Sequence, residues 1–303
     1  MTLDKPLLEK FELQLNPQNL RASAFPSTLL GYGEISSIFR LDQMPEIALK
    51  RMPLFSDLEQ ARAYEASYYE YCTALTQAGL RLPGHDTHII KKSAGLFVLY
   101  IAQESFKPEN FGHKLIHSRD EIFSADLILR IVKALKMVWS FNETAAPGLE
   151  LAIDGQISNW VLNETDELVY VDTSTPIFKK DGVEQMKPEL ILKSAPSFLR
   201  AVIKVFFLKD VMDRYYQKRA VLTDLVANLY KEQKTELIPM ALDVINEKIT
   251  DQTPLTPKEI KSYYKEDKFI WSLFLFARRV DRWITTRIKK KSYEFILPGR
   301  IKR

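Results

Sequence analysis

The sequence predicts an α+β protein in which an antiparallel sheet precedes a mainly helical chain. Residues 37–41 alternate apolar and polar side chains, as a half-buried strand does. A serine–glutamate capping box at position 56 begins a long helix, and helical patterns predominate beyond position 105. With 303 residues the chain is long enough to bury a large core, so we expect both parts to be packed structure.

The predicted strands of the sheet are short apolar runs bounded by turn residues. They lie at about 29–31, 37–41, 46–51, 87–92 and 94–101. A polar turn at 42–45 joins the second strand to the third, which predicts an antiparallel pair. Gln103 and Ser105 are then expected to leave the sheet ahead of Pro108.

The first long helix is predicted at about 57–78, between the capping box and Gly79. Its apolar residues at helical spacing are Leu58, Ala61, Cys72 and Leu75. Glu65 lies in the same stripe, where an unpaired carboxylate would cost several kcal/mol to desolvate. We therefore expect Glu65 to have a cationic partner, and Lys50 is the candidate.

The C-terminal part is predicted to be mostly helical. Apolar periodicity indicates a helix at about 120–142, and a capping box with Thr256 and Pro257 begins another. Two short apolar runs at 160–162 and 168–171 flank five polar residues, which is typical of a hairpin. No internal repeat or flexible linker interrupts the chain, so two lobes packed through a hinge are expected.

Composition and charge exclude several classes of protein. The single cysteine, Cys72, cannot form an intramolecular disulfide, and a reducing, cytoplasmic setting is expected. The longest apolar stretches have nine residues, which is too short for a membrane span. The net charge of +4 is uneven: residues 278–303 hold ten lysines and arginines against two acids, and the other 277 residues carry a net −4.

A glycine turn lies between the first two predicted strands. Gly31 and Gly33 would let the backbone approach a phosphate closely because no side chain intrudes, and Ser36 stands where a third glycine often is. The alternative is a plain hairpin turn with no ligand.

Five further side chains have the chemistry of a phosphoryl-transfer site. Lys50 ends an apolar strand, and Glu65 follows fifteen residues later on the helix. Asp154 and Asn159 are five residues apart, and Asp172 ends a strand thirteen residues further on. Such a site needs one carboxylate near the accepting hydroxyl, with a carboxamide and a second carboxylate for the metal ions. Turn chemistry alone also explains Asp154 and Asn159, so only the joint order favours function.

Taken together and in this order, these segments resemble the protein kinase-like superfamily, which includes the small-molecule kinases of the aminoglycoside and choline phosphotransferase type. The resemblance spans about 31–172. It implies a bilobal fold, with a nucleotide-binding N-terminal lobe at 1–104 and a helical C-terminal lobe at 105–303 that carries the catalytic loop. It also implies ATP and magnesium as cofactors.

The resemblance implies a role for each of the five side chains. Lys50 would contact the α and β phosphates of ATP while Glu65 fixes its position. Asp154 would accept or orient the proton of the substrate hydroxyl, and Asn159 and Asp172 would hold magnesium.

Two further segments of the N-terminal lobe would also contact the nucleotide: the glycine turn and the segment that leads into the C-terminal lobe. In the resembling proteins a glycine turn covers the phosphates, which implies that role for Gly31, Gly33 and Ser36. Gln103 and Ser105 lie where the chain would pass from one lobe to the other, and they are predicted to complete the nucleotide site.

The chain departs from the family pattern around the catalytic loop. Ala152 and Ile153 replace the usual histidine and the arginine or glycine before the aspartate, and Gln156 replaces a basic residue. Thr173 and Ser174 follow Asp172 in place of phenylalanine and glycine. Two functions therefore stay open: phosphoryl transfer to a hydroxyl of an unknown small molecule, and a pseudokinase-type nucleotide-binding scaffold without catalysis.

The C-terminal segment at 269–291 carries apolar residues on one side and basic residues toward another. The favoured interpretation is a terminal helix docked on the large lobe with a solvated basic face. Peripheral contact with an anionic membrane remains an alternative, and nucleic acid is not the expected partner.

Overall fold

The computed structural model describes residues 2–17, 25–32, 36–92, 95–145, 147–186 and 208–288, together with residue 290. Within these ranges the protein has an α+β fold, as the sequence predicts. Among the described helices, none combines the length and the apolar character that crossing a bilayer requires.

The strands and helices are numbered in chain order. The strands are β1 (Ser27–Tyr32), β2 (Ser37–Leu41), β3 (Met44–Arg51), β4 (His85–Lys91), β5 (Phe97–Glu104), β6 (Leu149–Leu151), β7 (Trp160–Leu162), β8 (Leu168–Tyr170), β9 (Phe178–Lys180) and β10 (Val183–Glu184). The α-helices are α1 (Lys5–Gln14), α2 (Leu58–Gln77), α3 (Gly112–Ser118), α4 (Glu121–Thr144), α5 (Leu208–Tyr216), α6 (Lys218–Lys231), α7 (Ile238–Lys248) and α8 (Pro257–Trp283).

The first five strands form one antiparallel sheet in the order β1-β2-β3-β5-β4. The register places Lys50 of β3 opposite Ile101 of β5, and Ala48 opposite Gln103. Because side chains alternate between the faces of a strand, Lys50 and Ile101 share the face that α2 covers. Gln103 lies inside β5, so the prediction that the chain has left the sheet by Gln103 is wrong by about two residues.

Helix α1 covers the opposite face of the sheet and was not predicted from the sequence. Asp4 caps its N-terminus by accepting from the amide of Leu7 at 3.0 Å. Leu8 and Phe11 are buried against apolar side chains of β2, β3 and β5. The charged residues that mask this helix in the sequence are mostly exposed, but Glu12 is buried.

Glu12 is the centre of a buried ionic network beneath α1. Its carboxylate accepts from the Arg51 guanidinium at 2.8 and 2.9 Å, from Lys92 Nζ at 2.6 Å and from Tyr100 Oη at 2.5 Å. Burial alone would raise the pKa of Glu12, but the hydrogen bonds and charges of these partners bring it below its ordinary value of 4.5.

Most of the predicted helices and the hairpin are confirmed, with small corrections. Helix α2 begins one residue later than predicted, because Asp57 rather than Ser56 is the cap and accepts from the Gln60 amide at 2.8 Å. The hairpin of β7 and β8 is present, and Thr256 caps α8. The small sheet β10-β9-β6 was not predicted, because its strands have two or three residues each.

We predict that Glu12→Gln destabilises the protein by about 3–5 kcal/mol, because it removes the buried negative charge that Arg51, Lys92 and Tyr100 share. Urea unfolding at neutral pH measures the free energy of unfolding. Glu9→Gln is the matched control, since Glu9 is exposed and pairs only with His88 among the described contacts of its side chain. A loss equal to that of the control would contradict a stabilising role for the network.

The stability that Glu12 supplies should also depend on pH. Its pKa is lower in the folded chain than in the unfolded chain, so the contribution is complete above about 4.5 and is lost as the pH falls through the lower folded value. We therefore expect the difference in unfolding free energy between wild type and Glu12→Gln to shrink in acid. A difference that stays constant from pH 7 to below pH 4 would show that Glu12 does not titrate in this way.

Candidate functional site

Lys50 is the centre of the candidate site and is almost completely buried, with 6% of its surface exposed. Its Nζ donates to the carbonyl oxygen of Val171 at 2.8 Å and lies 3.7 Å from Asp172 Oδ1. Burial lowers the pKa of Lys50, while the charge of Asp172 acts to raise it. The structure therefore brings together two of the predicted site residues, which lie 122 positions apart.

Asp154, Asn159 and the segment before Asp172 are held in one hydrogen-bonded arrangement. Asn159 Nδ2 donates to the backbone oxygen of Asp154 at 3.3 Å, and the backbone oxygen of Asn159 accepts from the Val171 amide at 2.9 Å. The Gln156 amide donates to Asp154 Oδ1 at 3.0 Å. These bonds link the predicted catalytic loop to Val171, the residue whose carbonyl oxygen accepts from the Lys50 ammonium.

Two glycines allow this loop to pack closely against the helices. A Cβ at Gly155 would lie 2.9 Å from Val221 Cγ1 of α6. A Cβ at Gly112, the first residue of α3, would lie 2.5 Å from the backbone oxygen of Ile157. Gly155 therefore serves close packing as well as the turn that the Asp-Gly sequence predicts.

The residues after Asp172 join the loop to the sheet and to α2. Thr173 and Ser174 are buried, and Thr173 Oγ1 accepts from Gln103 Nε2 at 2.7 Å. Tyr64 Oη of α2 donates to the backbone oxygen of Ser174 at 2.7 Å, and Ser174 Oγ donates to Asp172 Oδ1 at 3.3 Å. Thr173 and Ser174, which differ from the residues at these positions in the resembling proteins, thus have a structural role in this chain.

The predicted ion pair between Lys50 and Glu65 is wrong for this structure. Glu65 accepts from Thr87 Oγ1 at 2.5 Å and lies toward β4, whereas Lys50 contacts Asp172. The reason is the rotation of α2 about its axis. The helix buries Tyr64 and Tyr68 toward the sheet, and the next position, Glu65, is rotated about 100° away from Tyr64.

The side of α2 near Lys50 is therefore neutral. Cys72 lies near Lys50, and burial raises the pKa of Cys72 to about 11, so its thiol is uncharged near pH 7. Burial also raises the pKa of Tyr64 and of Tyr68 far above neutrality. These groups can offer hydrogen bonds near Lys50 but no negative charge at physiological pH.

Those of the remaining predicted nucleotide residues that the structure describes lie in the large sheet or directly next to its strands. Gly31 lies at a bulge in β1, where an added Cβ would meet only Ile38 Cδ1 at 3.9 Å, so a glycine is not sterically required. Gly33 lies outside the described residues. Ser36 is buried just before β2, and the Ser105 amide donates to the Glu46 oxygen at 2.9 Å after β5 ends.

Sequence reasoning missed a buried acid next to the predicted catalytic loop. Asp224 of α6 is buried, and this burial raises its pKa while the charge of Lys231 partly opposes the shift. The Gln156 side chain lies close enough to favour the ionised form. Asp224 and the buried Asn228 stand four residues apart within the mainly apolar stretch 221–229 of α6, and this was the signal available in the sequence.

The protein thus has an α+β fold. Its candidate site contains Lys50, Asp154, Asn159 and Asp172, which come from three separate segments of the chain. The chain belongs to the family of unknown function DUF6206, which matches residues 20–282. The match includes the large sheet and the whole candidate site, but it begins after α1. A comparison with curated proteins finds no match.

We predict that the side chains of Lys50 and Asp172 are energetically coupled. Asp172→Asn should cost about 1–2 kcal/mol, less than a fully buried pair because the Asp172 side chain is 37% exposed. In a Lys50→Met background the same change should cost close to nothing, since no buried cation remains. Urea unfolding of the four variants gives the coupling, and Asp243→Asn on the exposed side of α7 is the control. Equal costs in both backgrounds would reject the coupling.

Proposed function

We propose that this protein binds ATP with magnesium and transfers the γ-phosphoryl group to a hydroxyl of a small-molecule acceptor. The observation that carries the proposal is the convergence on Lys50. Its Nζ lies 3.7 Å from Asp172 and donates to Val171, whose amide is bonded to Asn159, and Asn159 in turn donates to the backbone oxygen of Asp154. A phosphoryl-transfer site requires these chemical groups together.

The proposal includes a bilobal, kinase-like arrangement. The large sheet with α1 and α2 would be the N-terminal lobe, and the chain from α3 onward would be the C-terminal lobe. A shared apolar cluster supports this, because it joins residues of β5 and α2 to residues near the catalytic loop. Its members include Tyr64, Leu99, Ile101, Ala152, Ile177 and Met212.

In this proposal, the residues of the chain position the reactants. Lys50 lies in a dry environment where its charge acts strongly on a phosphate oxygen. The backbone amide of Gln156 donates to Asp154 Oδ1 and so orients the carboxylate. Asp154 then accepts or directs the proton of the acceptor hydroxyl. Gln103 and Tyr64 hold the segment that carries Asp172 through their bonds to Thr173 and Ser174.

The donor set is compatible with magnesium bound mainly through a nucleotide. Within the described ranges, no group of three or more His, Cys, Asp or Glu could hold a metal by itself. Magnesium needs only one or two protein carboxylates when phosphates and water supply its other ligands. Asp172 is partly exposed, and Asn159 donates through Nδ2, so its Oδ1 is the atom suited to a metal. When bound, the ion would neutralise charge on the phosphates.

A nucleotide-binding scaffold without catalysis is the second candidate. The observation that favours it is the neutral side of α2, where Cys72 stands near Lys50 and Tyr64 near Asp172 in place of a carboxylate. Ala152 and Gln156 also remove groups that the resembling enzymes use in catalysis. Both candidates share ATP binding, and they differ in the role of Asp154.

We expect calorimetric titration to detect Mg-ATP binding, and we expect Lys50→Met to weaken it roughly 10–100-fold through loss of a charge-assisted bond. Asp154→Asn should leave binding nearly unchanged but lower the rate of ATP turnover about 10²–10⁴-fold. Asp243→Ala, an exposed acid of α7, is the matched control.

The outcomes of this experiment separate the candidates. Mg-ATP binding with turnover that depends on Asp154 supports phosphoryl transfer. Binding without turnover, or turnover that Asp154→Asn leaves unchanged, rejects the proposed chemistry and favours the scaffold. A folded protein that does not bind Mg-ATP overturns both.

A further inference from the structure

The second half of α8 carries an exposed stripe of large apolar side chains. Phe269, Phe276 and Trp283 are 68%, 64% and 58% exposed, and Leu273 is also exposed between them. The spacing of four, three and seven residues places them on one side of the helix. A π-helical turn, Ile284–Ile288, follows directly and ends in another exposed apolar residue, so the stripe continues past the end of α8.

Within the part of the chain that the structure describes, the body of the protein leaves this stripe exposed. The buried residues at this end of the helix are Ala277 and Arg278, which lie about 100° and 200° around the helix axis from Phe276. Arg278 lies 4.2 Å from the centroid of the Phe274 ring, on the side away from the stripe. One side of α8 thus contacts the rest of the protein, while the stripe of Phe269, Leu273, Phe276 and Trp283 faces outward. Such a patch marks an interaction surface more often than an accident of folding.

The charges beside the stripe are almost all positive. Between positions 268 and 288 there are five lysines and arginines and one acid, Asp281. Arg279, Arg282 and Arg287 are exposed, and Lys268 is exposed at the start of the stripe. Basic residues next to exposed Phe, Trp and Leu are typical of a helix that lies in the plane of a membrane interface.

We propose that the second half of α8 and the following π-helical turn dock on an anionic phospholipid surface. The apolar stripe enters the interface while the flanking arginines contact lipid phosphates and carboxylates. A second copy of the chain fits less well, because pairing along the stripe would bring like-charged arginines together. This surface contains none of the residues of the candidate site, so the proposal does not depend on phosphoryl transfer.

Co-sedimentation with vesicles tests the proposal. The full chain should bind vesicles of phosphatidylcholine with phosphatidylserine and should bind pure phosphatidylcholine vesicles much more weakly. The triple variant Arg279→Gln, Arg282→Gln, Arg287→Gln should reduce binding by about fivefold for each charge removed. Lys258→Gln with Lys261→Gln, exposed on the first half of the same helix, is the matched control and should have a smaller effect.

The apolar contribution is tested separately. Phe276→Ser with Trp283→Ser should remove most vesicle binding, whereas Ile122→Ser, which alters an exposed apolar residue of α4, should not. Thermal unfolding confirms that each variant is folded. Equal binding to both vesicle types, or no binding to either, overturns the proposal. Sedimentation equilibrium that shows a dimer lost in the Phe276/Trp283 variant, without vesicle binding by the wild type, assigns the stripe to self-association instead.

Discussion

The burial of the Lys50 ammonium is the constraint on which the candidate site depends. A cation in the middle of a sheet must be paired, because an isolated buried charge is costly. The chain meets this need with the Val171 carbonyl and the Asp172 carboxylate, which follow the 154–159 loop in sequence. Any change that moves this loop away from β3 would leave the lysine without its partners, so the stability of the fold and the geometry of the site are linked.

The neutral side of α2 makes this link stronger. Because Glu65 bonds Thr87 and the nearby α2 groups are uncharged, Asp172 is the carboxylate that the structure places beside Lys50. The pair is electrically neutral as it stands. An anionic phosphate near Lys50 and a cation near Asp172 would each replace one member of that pair, and a nucleotide that arrives with its metal supplies both at once.

Much of the fold could be predicted from the sequence, because strand alternation and helix caps are local signals. The five main strands and the helices at α2, α4 and α8 were predicted within a few residues. That Lys50 and Asp172 share one site was implied by the resemblance to the kinase-like superfamily, and the structure places them 3.7 Å apart. The partner of Lys50 could not be predicted, since it depends on the rotation of α2: Glu65 fits an apolar stripe drawn through Leu58, but the helix buries the stripe through Tyr64 and leaves Leu58 exposed.

Helix α1 was not predicted, because most of its residues are charged or exposed and only Leu8, Phe11 and Glu12 are buried. It lies before residue 20, where the family match begins, yet Glu12 supplies the carboxylate that Arg51, Lys92 and Tyr100 share inside the matched region. A protein trimmed to the family boundary would keep two cations and lose the anion between them, together with the cover over one face of the sheet. The unit that folds is therefore longer at its beginning than the unit that sequence comparison recognises.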